Sequence, residues 1–246
     1  MSQKREAWII TLSKTRSFKV AVLIILSLAV LIGGAAGCGK KPKPPAKKPQ
    51  PEEPGAKFFP TVKPSAGAGQ LIYNSKCAIC HGPNGAGDGP TAAKPHLKPA
   101  NFTDTKFMRN ELLQDLFESV TNGRKAMPKF KKKLTTEQRW DVLFFVWSRQ
   151  TSPMQLAAGK NIYTKNCLPC HGRLGDGRGS RASGLRAKSP RFNDPEFMMK
   201  EKSNNFFAVL TNGEKLMPSY KKTLTDDQRW NVIDYTWTFV YTPAPK

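Results

Sequence analysis

Histidine is scarce in this chain: three among 246 residues, too few for a large multi-histidine metal centre. Acid is scarce as well, 18 Asp and Glu against 40 Lys and Arg, and the resulting formal charge of +22 points toward acidic partners. The apolar run from Val20 to Ile32 is shorter than the roughly 20 residues a membrane-spanning helix needs. Cysteine is limited to five, and four of these fall into two C-x-x-C pairs, so one is left over. What is present, 39% apolar residues in a chain of this length, allows a folded core in one or two domains.

Lys4, Arg5, Lys14, Arg16 and Lys19 precede that apolar run, and small residues follow it up to Cys38. Residues 1–37 therefore read as a signal peptide. Ala35-Ala36-Gly37-Cys38 resembles a bacterial lipobox, with Ala35 where Leu is usual. Lipidation of Cys38 would account for the odd cysteine and hold an exported protein to a membrane, on the periplasmic or outer cell-surface side. An uncleaved anchor or simple secretion are the alternatives. Residues 38–65 are rich in Pro and Lys and read as a stiff, extended linker, able to span up to roughly 80 Å. Cleavage before Cys38 removes five positive charges and one negative, leaving 22 − 4 = +18.

The remainder of the chain occurs twice. A shift of 90 positions superposes Cys77–His81 on Cys167–His171, Thr121-Asn122-Gly123 on Thr211-Asn212-Gly213, Met127-Pro128 on Met217-Pro218 and Gln138-Arg139-Trp140 on Gln228-Arg229-Trp230. Two domains are expected, 66–151 and 152–246. Each copy reads as all-α: a short helix before the cysteines, a Gly/Pro-rich stretch, a helix near 110–120 or 204–210, and a closing helix. Thr135-x-x-Gln138 and Thr225-x-x-Gln228 are capping boxes for the closing helices, where Trp140, Leu143, Phe144 and Trp147, or Trp230, Ile233 and Trp237, recur at helical spacing.

In C-x-x-C-H the two thiols are spaced to bond the two vinyl groups of one porphyrin while the following imidazole reaches its iron. Zinc would need four ligands, and each copy offers two Cys and one His; a thioredoxin-like pair belongs in a βαβ setting. Cys77, Cys80, Cys167 and Cys170 are thus expected to hold two covalent haems c, with His81 and His171 on iron. The second axial ligand must recur in the repeat. His96 aligns with Arg186, whereas Met127 aligns with Met217, each followed by Pro and each 46 residues beyond its histidine. Met108 and Met198 also align, but they fall where helix is expected and read as core packing.

These motifs resemble the class I c-type cytochromes, and within them the bacterial type with two such domains in tandem. The resemblance rests on the run from Cys77 to Pro90, the T-N-G stretch, the M-P pair and the closing aromatic helix, and covers the chain from about Ala66. It implies helical domains, His/Met iron and no substrate chemistry. It also implies a proline carbonyl behind the proximal imidazole; Pro90 is the match in the first copy, and Ser180 stands there in the second.

With both axial positions filled, the fitting task is single-electron transfer between redox proteins in a respiratory or related chain, without a small-molecule substrate. The other readings are a haem enzyme of the di-haem peroxidase or thiosulfate dehydrogenase type, and a fixed cytochrome subunit of a larger respiratory complex. Outside the cytoplasm the basic surface suits acidic redox proteins or anionic lipid rather than nucleic acid.

Overall fold

A computed structural model describes residues 59–240 apart from 61, 95 and 187. The signal segment, Cys38 and the linker up to residue 58 lie outside the described residues. The first copy forms α1 (Ala66–Lys76), α2 (Ala78–His81), α3 (Thr105–Asn110), α4 (Leu113–Asn122) and α5 (Thr136–Ser148). The second forms α6 (Pro153–Asn166), α7 (Leu168–His171), α8 (Pro195–Met198), α9 (Ser203–Asn212) and α10 (Asp226–Trp237), with a 3-10 turn at Ala182–Gly184. Among the described residues the only β-type pairings are two isolated bridges, Arg124 with Met127 and Glu214 with Met217. The fold is all-α.

Helix starts follow the sequence signals. The Thr135 and Thr225 hydroxyls accept from the backbones of Gln138 and Gln228, whose side chains accept in return from the cap backbones. Ser152 and Gln155 do the same for α6, with Pro153 at its first position. The helix expected from Asn110 begins instead at Leu113, because Asp104 caps a separate short helix that closes at Asn110. In the second copy α9 begins at Ser203, close to the expectation.

Within each copy the first helix crosses the last at backbone contact. A Cβ on Gly69 would fall 1.9 Å from the Asp141 carbonyl oxygen, and one on Gly159 would fall 2.0 Å from that of Asn231. Glycine is the residue that permits this approach. Aromatic stacking secures the neighbouring helix, with Phe117 on Trp140 at 4.6 Å and Phe207 on Trp230 at 4.3 Å between ring centroids.

The copies share buried apolar ground. Leu113, Phe117 and Trp140 from the first belong to one continuous core with Met199, Leu210 and Ile233 from the second. Gln114 N donates to the Met199 carbonyl at 3.4 Å, and the Arg109 guanidinium lies 3.7 Å over the Trp230 ring. Asp234 sits at the same junction. Burial pushes its carboxyl up to about 7, against the opposing pull of Arg109. The native state then holds a proton between about pH 4 and 7 that the unfolded chain has released, so stability should fall as pH rises through that window. Asp234→Asn should flatten the fall, which at full effect is on the order of 2–4 kcal/mol; urea titration of the haem-loaded protein at pH 4.5, 6 and 8 measures it.

Candidate functional site

Each cysteine motif is a single helical turn hung on the end of a longer helix. Cys77 closes α1, and His81 N donates back to the Cys77 carbonyl at 2.9 Å, so both thiols and the imidazole project from one turn. Gly82 and Gly172 then reverse the chain at φ of 77° and 79°. Their carbonyls accept from the buried hydroxyls of Tyr73 and Tyr163, each at 2.8 Å. The glycine-rich loop folds back onto the turn, with Gly89 N bonded to the Cys80 carbonyl and Thr91 N to that of Ile79.

That fold-back corrects the expectation for Pro90. Residues 89–91 pack behind the motif turn, and it is the later extended stretch that passes the imidazole. His81 Nδ1 lies 3.2 Å from the carbonyl oxygen of Ala100. In the second copy the corresponding carbonyl is that of Pro190 (100 + 90), which acts on His171 in the same sense. His171 Nδ1 nevertheless has no partner within hydrogen-bonding geometry, so the contact is weaker than that of His81. Ser180 in place of Pro90 therefore does not bear on histidine support. Phe102 and Phe192 stack on the two imidazoles at 4.6 and 4.7 Å. Their recurrence at the repeat interval was the available signal for them.

The methionines are placed by a second device. Gly123 ends α4 at φ 73°, and a tight turn follows in which Arg124 and Met127 exchange backbone hydrogen bonds of 3.3 and 2.9 Å. Glu214 and Met217 repeat it at 3.0 and 2.8 Å. Lys125 and Lys215 adopt the left-handed region within these turns, at φ 53° and 54°. A Cβ on Gly123 would come within 2.5 Å of the Met127 carbonyl oxygen, so the T-N-G stretch exists to let this turn close. Met127 and Met217 are half-buried against the core.

In the second copy these parts meet. A cavity of about 870 Å³ is lined by Cys167, Cys170 and His171 together with Met217 and Pro218, and by the apolar side chains of Phe192, Phe206, Leu210 and Ile233. Its size lies within the range of about 300–1,000 Å³ usual for ligand pockets. The rival methionines are elsewhere: Met108 packs against Tyr73, Phe145 and Val146, and Met198 is fully buried in the core. His96 is an exposed loop residue.

The electrostatics separate the chemical readings. Burial pushes the Cys77 thiol up to about 11 and that of Cys167 up to about 12, the reverse of the depressed values of a thioredoxin-like pair. Neither C-x-x-C pair is a disulfide. Among the described residues no three His, Cys, Asp or Glu side chains converge on a common point, as a zinc cage requires. Burial lowers both imidazoles below the usual histidine value, which favours the neutral ring that can donate a lone pair. An apolar cleft whose lining includes two thiols, an imidazole and a thioether fits haem c.

The family model described as cytochrome c oxidase, cbb3-type, subunit III, matches residues 64–146 and again residues 154–235. The chain belongs to this family. As a tandem cytochrome c it carries two covalently attached haems c, one for each matched segment. It is similar to the cbb3-type cytochrome c oxidase subunit FixP of Sinorhizobium medicae (strain WSM419), 25% identical over 173 residues that cover 65% of this chain and 55% of that one. Cytochrome c6 of Leptolyngbya boryana is 34% identical over 82 residues, 33% of this chain and 88% of that one. The chain spans about half the length of the oxidase subunit it matches. Among solved structures, a reducing HAO-like protein complex of Kuenenia stuttgartiensis contains a chain 25% identical, covering 74% of this chain and 99% of that one, with a TM-score of 0.34.

Proposed function

We propose that this cytochrome is a one-electron relay and not an enzyme, with its two haem domains at 66–151 and 152–246. Cys77, Cys80, Cys167 and Cys170 form the thioether links, His81 and His171 are the proximal ligands, and Met127 and Met217 the distal ones. Haem, when bound, would supply the redox-active iron; the cysteines would attach it and the histidine and methionine of each copy would hold the iron. The observation that carries the reading is the second-copy cavity, which gathers Cys167, Cys170, His171 and Met217 around one apolar cleft. The expected result is two haems c per chain by pyridine haemochromogen, reversible one-electron titration of each, and no carbon monoxide binding to the native reduced protein. Carbon monoxide binding, or turnover with peroxide or thiosulfate, would instead make it a haem enzyme.

A second reading is a fixed subunit of a respiratory complex, favoured by the family match over both copies. Purification from native membranes decides, since a free carrier elutes alone. Cys38 remains the proposed lipid attachment for an exported, membrane-held protein, and intact mass of the native chain reads the acyl group directly.

The haems should be unequal. A hydrogen bond from Nδ1 to a carbonyl raises the donor strength of an axial imidazole and so favours ferric iron. His81 makes that bond at 3.2 Å, whereas at His171 the Pro190 carbonyl acts in the same sense but outside hydrogen-bonding geometry. The first haem is therefore expected to titrate at the lower potential, and a spectroelectrochemical curve needing only one potential for both would refute it.

Docking is expected at the lysines that flank the first methionine turn. Lys129, Lys131, Lys132 and Lys133 are all exposed, and the turn that holds Met127 brings them close to where an electron would leave. Lys221 and Lys222 flank the second. Such a patch steers an acidic redox protein and raises its encounter rate by about 10- to 1000-fold at low salt. Glu at Lys131 and Lys132 should slow association at least about tenfold and leave both potentials nearly unchanged. The second-order rate of the native protein should fall steeply with added salt in stopped-flow measurements.

A further inference from the structure

Positive charge is distributed over the two copies in opposite ways. Around the methionine turn, residues 124–133 of the first copy carry Arg124, Lys125 and four further lysines with no acid. The matching residues 214–223 carry three lysines and Glu214, and Glu214 lies 3.7 Å from Lys215. On the cysteine–histidine side the order reverses. Residues 83–101 hold two lysines and Asp88, whereas residues 173–191 hold Arg173, Arg178, Arg181, Arg186, Lys188 and Arg191 against a single acid, Asp176.

All six of those cations are exposed, and among the described residues none takes part in an ion pair. The loop that carries them is closed on itself. Asn193 N donates to the Gly175 carbonyl at 3.2 Å, and a Cβ on Gly177 would fall 2.8 Å from the Ser189 carbonyl oxygen, so the two ends of the segment abut. Arg181 N donates to the Pro169 carbonyl at 2.7 Å, seating the middle of the loop on the C-x-x-C turn. Arg181 and Lys188 line the same cavity as Cys170 and His171.

We infer that the 173–191 loop is a second docking face, for a redox protein that presents a cluster of carboxylates, separate from the lysine face of the first copy. Cations of one sign held on a compact loop must repel one another, and that cost is relieved by an anionic partner. Five of the six are arginines, whose planar forks bind carboxylates in pairs of hydrogen bonds. Because two of the cations border the cavity, a partner seated on them lies beside the second haem, where a single electron passes with no bond made or broken. The inference deepens the relay reading and rests on it: one partner would dock on each copy, so the electron would traverse the chain.

The test uses the full-length, haem-loaded protein and hexacyanochromate(III), a redox-inert paramagnetic trianion, as the probe. At low salt its NMR broadening is expected at both 124–133 and 173–191, and added salt should relieve both. Charge reversal by Arg173→Glu, Arg178→Glu and Arg186→Glu together, all outside the cavity lining, should abolish the second set and leave the first. The same variant should slow one of the two phases of oxidation by ferricyanide about tenfold at low salt and leave both potentials in place. Broadening confined to 124–133, or two unchanged oxidation phases, overturns the inference. Loss of binding to phosphatidylglycerol vesicles with ferricyanide kinetics intact also overturns it, making the loop a membrane contact. A haem count of two per chain, taken on the same samples, shows that such a failure belongs to the docking face and not to the haem reading beneath it.

Discussion

Alanine at Met217 is expected to turn one of the two low-spin haems into a high-spin form that binds carbon monoxide and titrates at a lower potential. The M-P turn after Gly213 holds the thioether in the lining of the same cavity as His171 and both cysteines. In the proposed ligation His171 and Met217, both in the lining of that cavity, are the two ligands of a low-spin iron. Thioether ligation raises the potential of a haem c, and axial ligands tune haem potentials over a span of about 0.8 V. Losing it should therefore be among the largest single changes available to the molecule. Met127→Ala should do the same in the first copy. Met198 is the control, being fully buried in the core and not against the cleft. Met198→Ala should lower stability by about 2–5 kcal/mol through the cavity it leaves, with the spectrum and both potentials unmoved. If Met217→Ala kept a native low-spin spectrum while Met198→Ala lost one, the ligand assignment would be reversed.

Gly69→Ala should destabilise the first copy severely, although the same substitution two residues earlier should be tolerated. Within α1, alanine is favoured over glycine by roughly 1 kcal/mol. Gly67 has room, the nearest atom to an added Cβ being the Ser65 hydroxyl at 3.9 Å, so Gly67→Ala should be neutral or stabilising by about 0.4–1 kcal/mol. At Gly69 the added carbon would sit 1.9 Å from the Asp141 carbonyl oxygen and 2.9 Å from the Phe145 Cβ. Neither is the movable end of a flexible side chain, so α1 must lift away from α5. Overpacking of this kind costs about 1–3 kcal/mol where neighbours can yield and more where they are backbone. The damage also reaches the haem, because α1 ends in Cys77 and its Tyr73 supports Gly82. Lower haem incorporation in the first copy should accompany a fall in the urea midpoint. Equal midpoints for Gly67→Ala and Gly69→Ala would show that the crossing is looser than its geometry.

Much of this was legible without coordinates because the chain repeats. A residue type that returns after 90 positions in a helical pattern has been kept in register by the same packing twice. That argument placed the capping boxes at Thr135 and Thr225 and separated Met127 and Met217 from His96. It was weaker where the repeat was obeyed but the role was not local. Tyr73 and Tyr163 recur, as do Phe102 and Phe192, yet nothing in their spacing says that the first pair bonds the carbonyl after the histidine or that the second stacks on its ring.

Sequence by itself determined the all-α class, the doubled unit, the covalent cofactor chemistry and the closing amphipathic helices, because each depends on residue types at short fixed separations. Only the tertiary structure decided which carbonyl stands behind the imidazole. The glycine-rich loop turns back on the motif helix and packs residues 89–91 against it, so chain 19 residues beyond His81 (100 − 81) delivers the acceptor. It also decided that the two copies share one core, with Arg109 laid on Trp230 and Asp234 half-buried at the junction. Contacts of that kind join residues more than a hundred positions apart. They depend on how two finished surfaces fit, which no local period or spacing encodes.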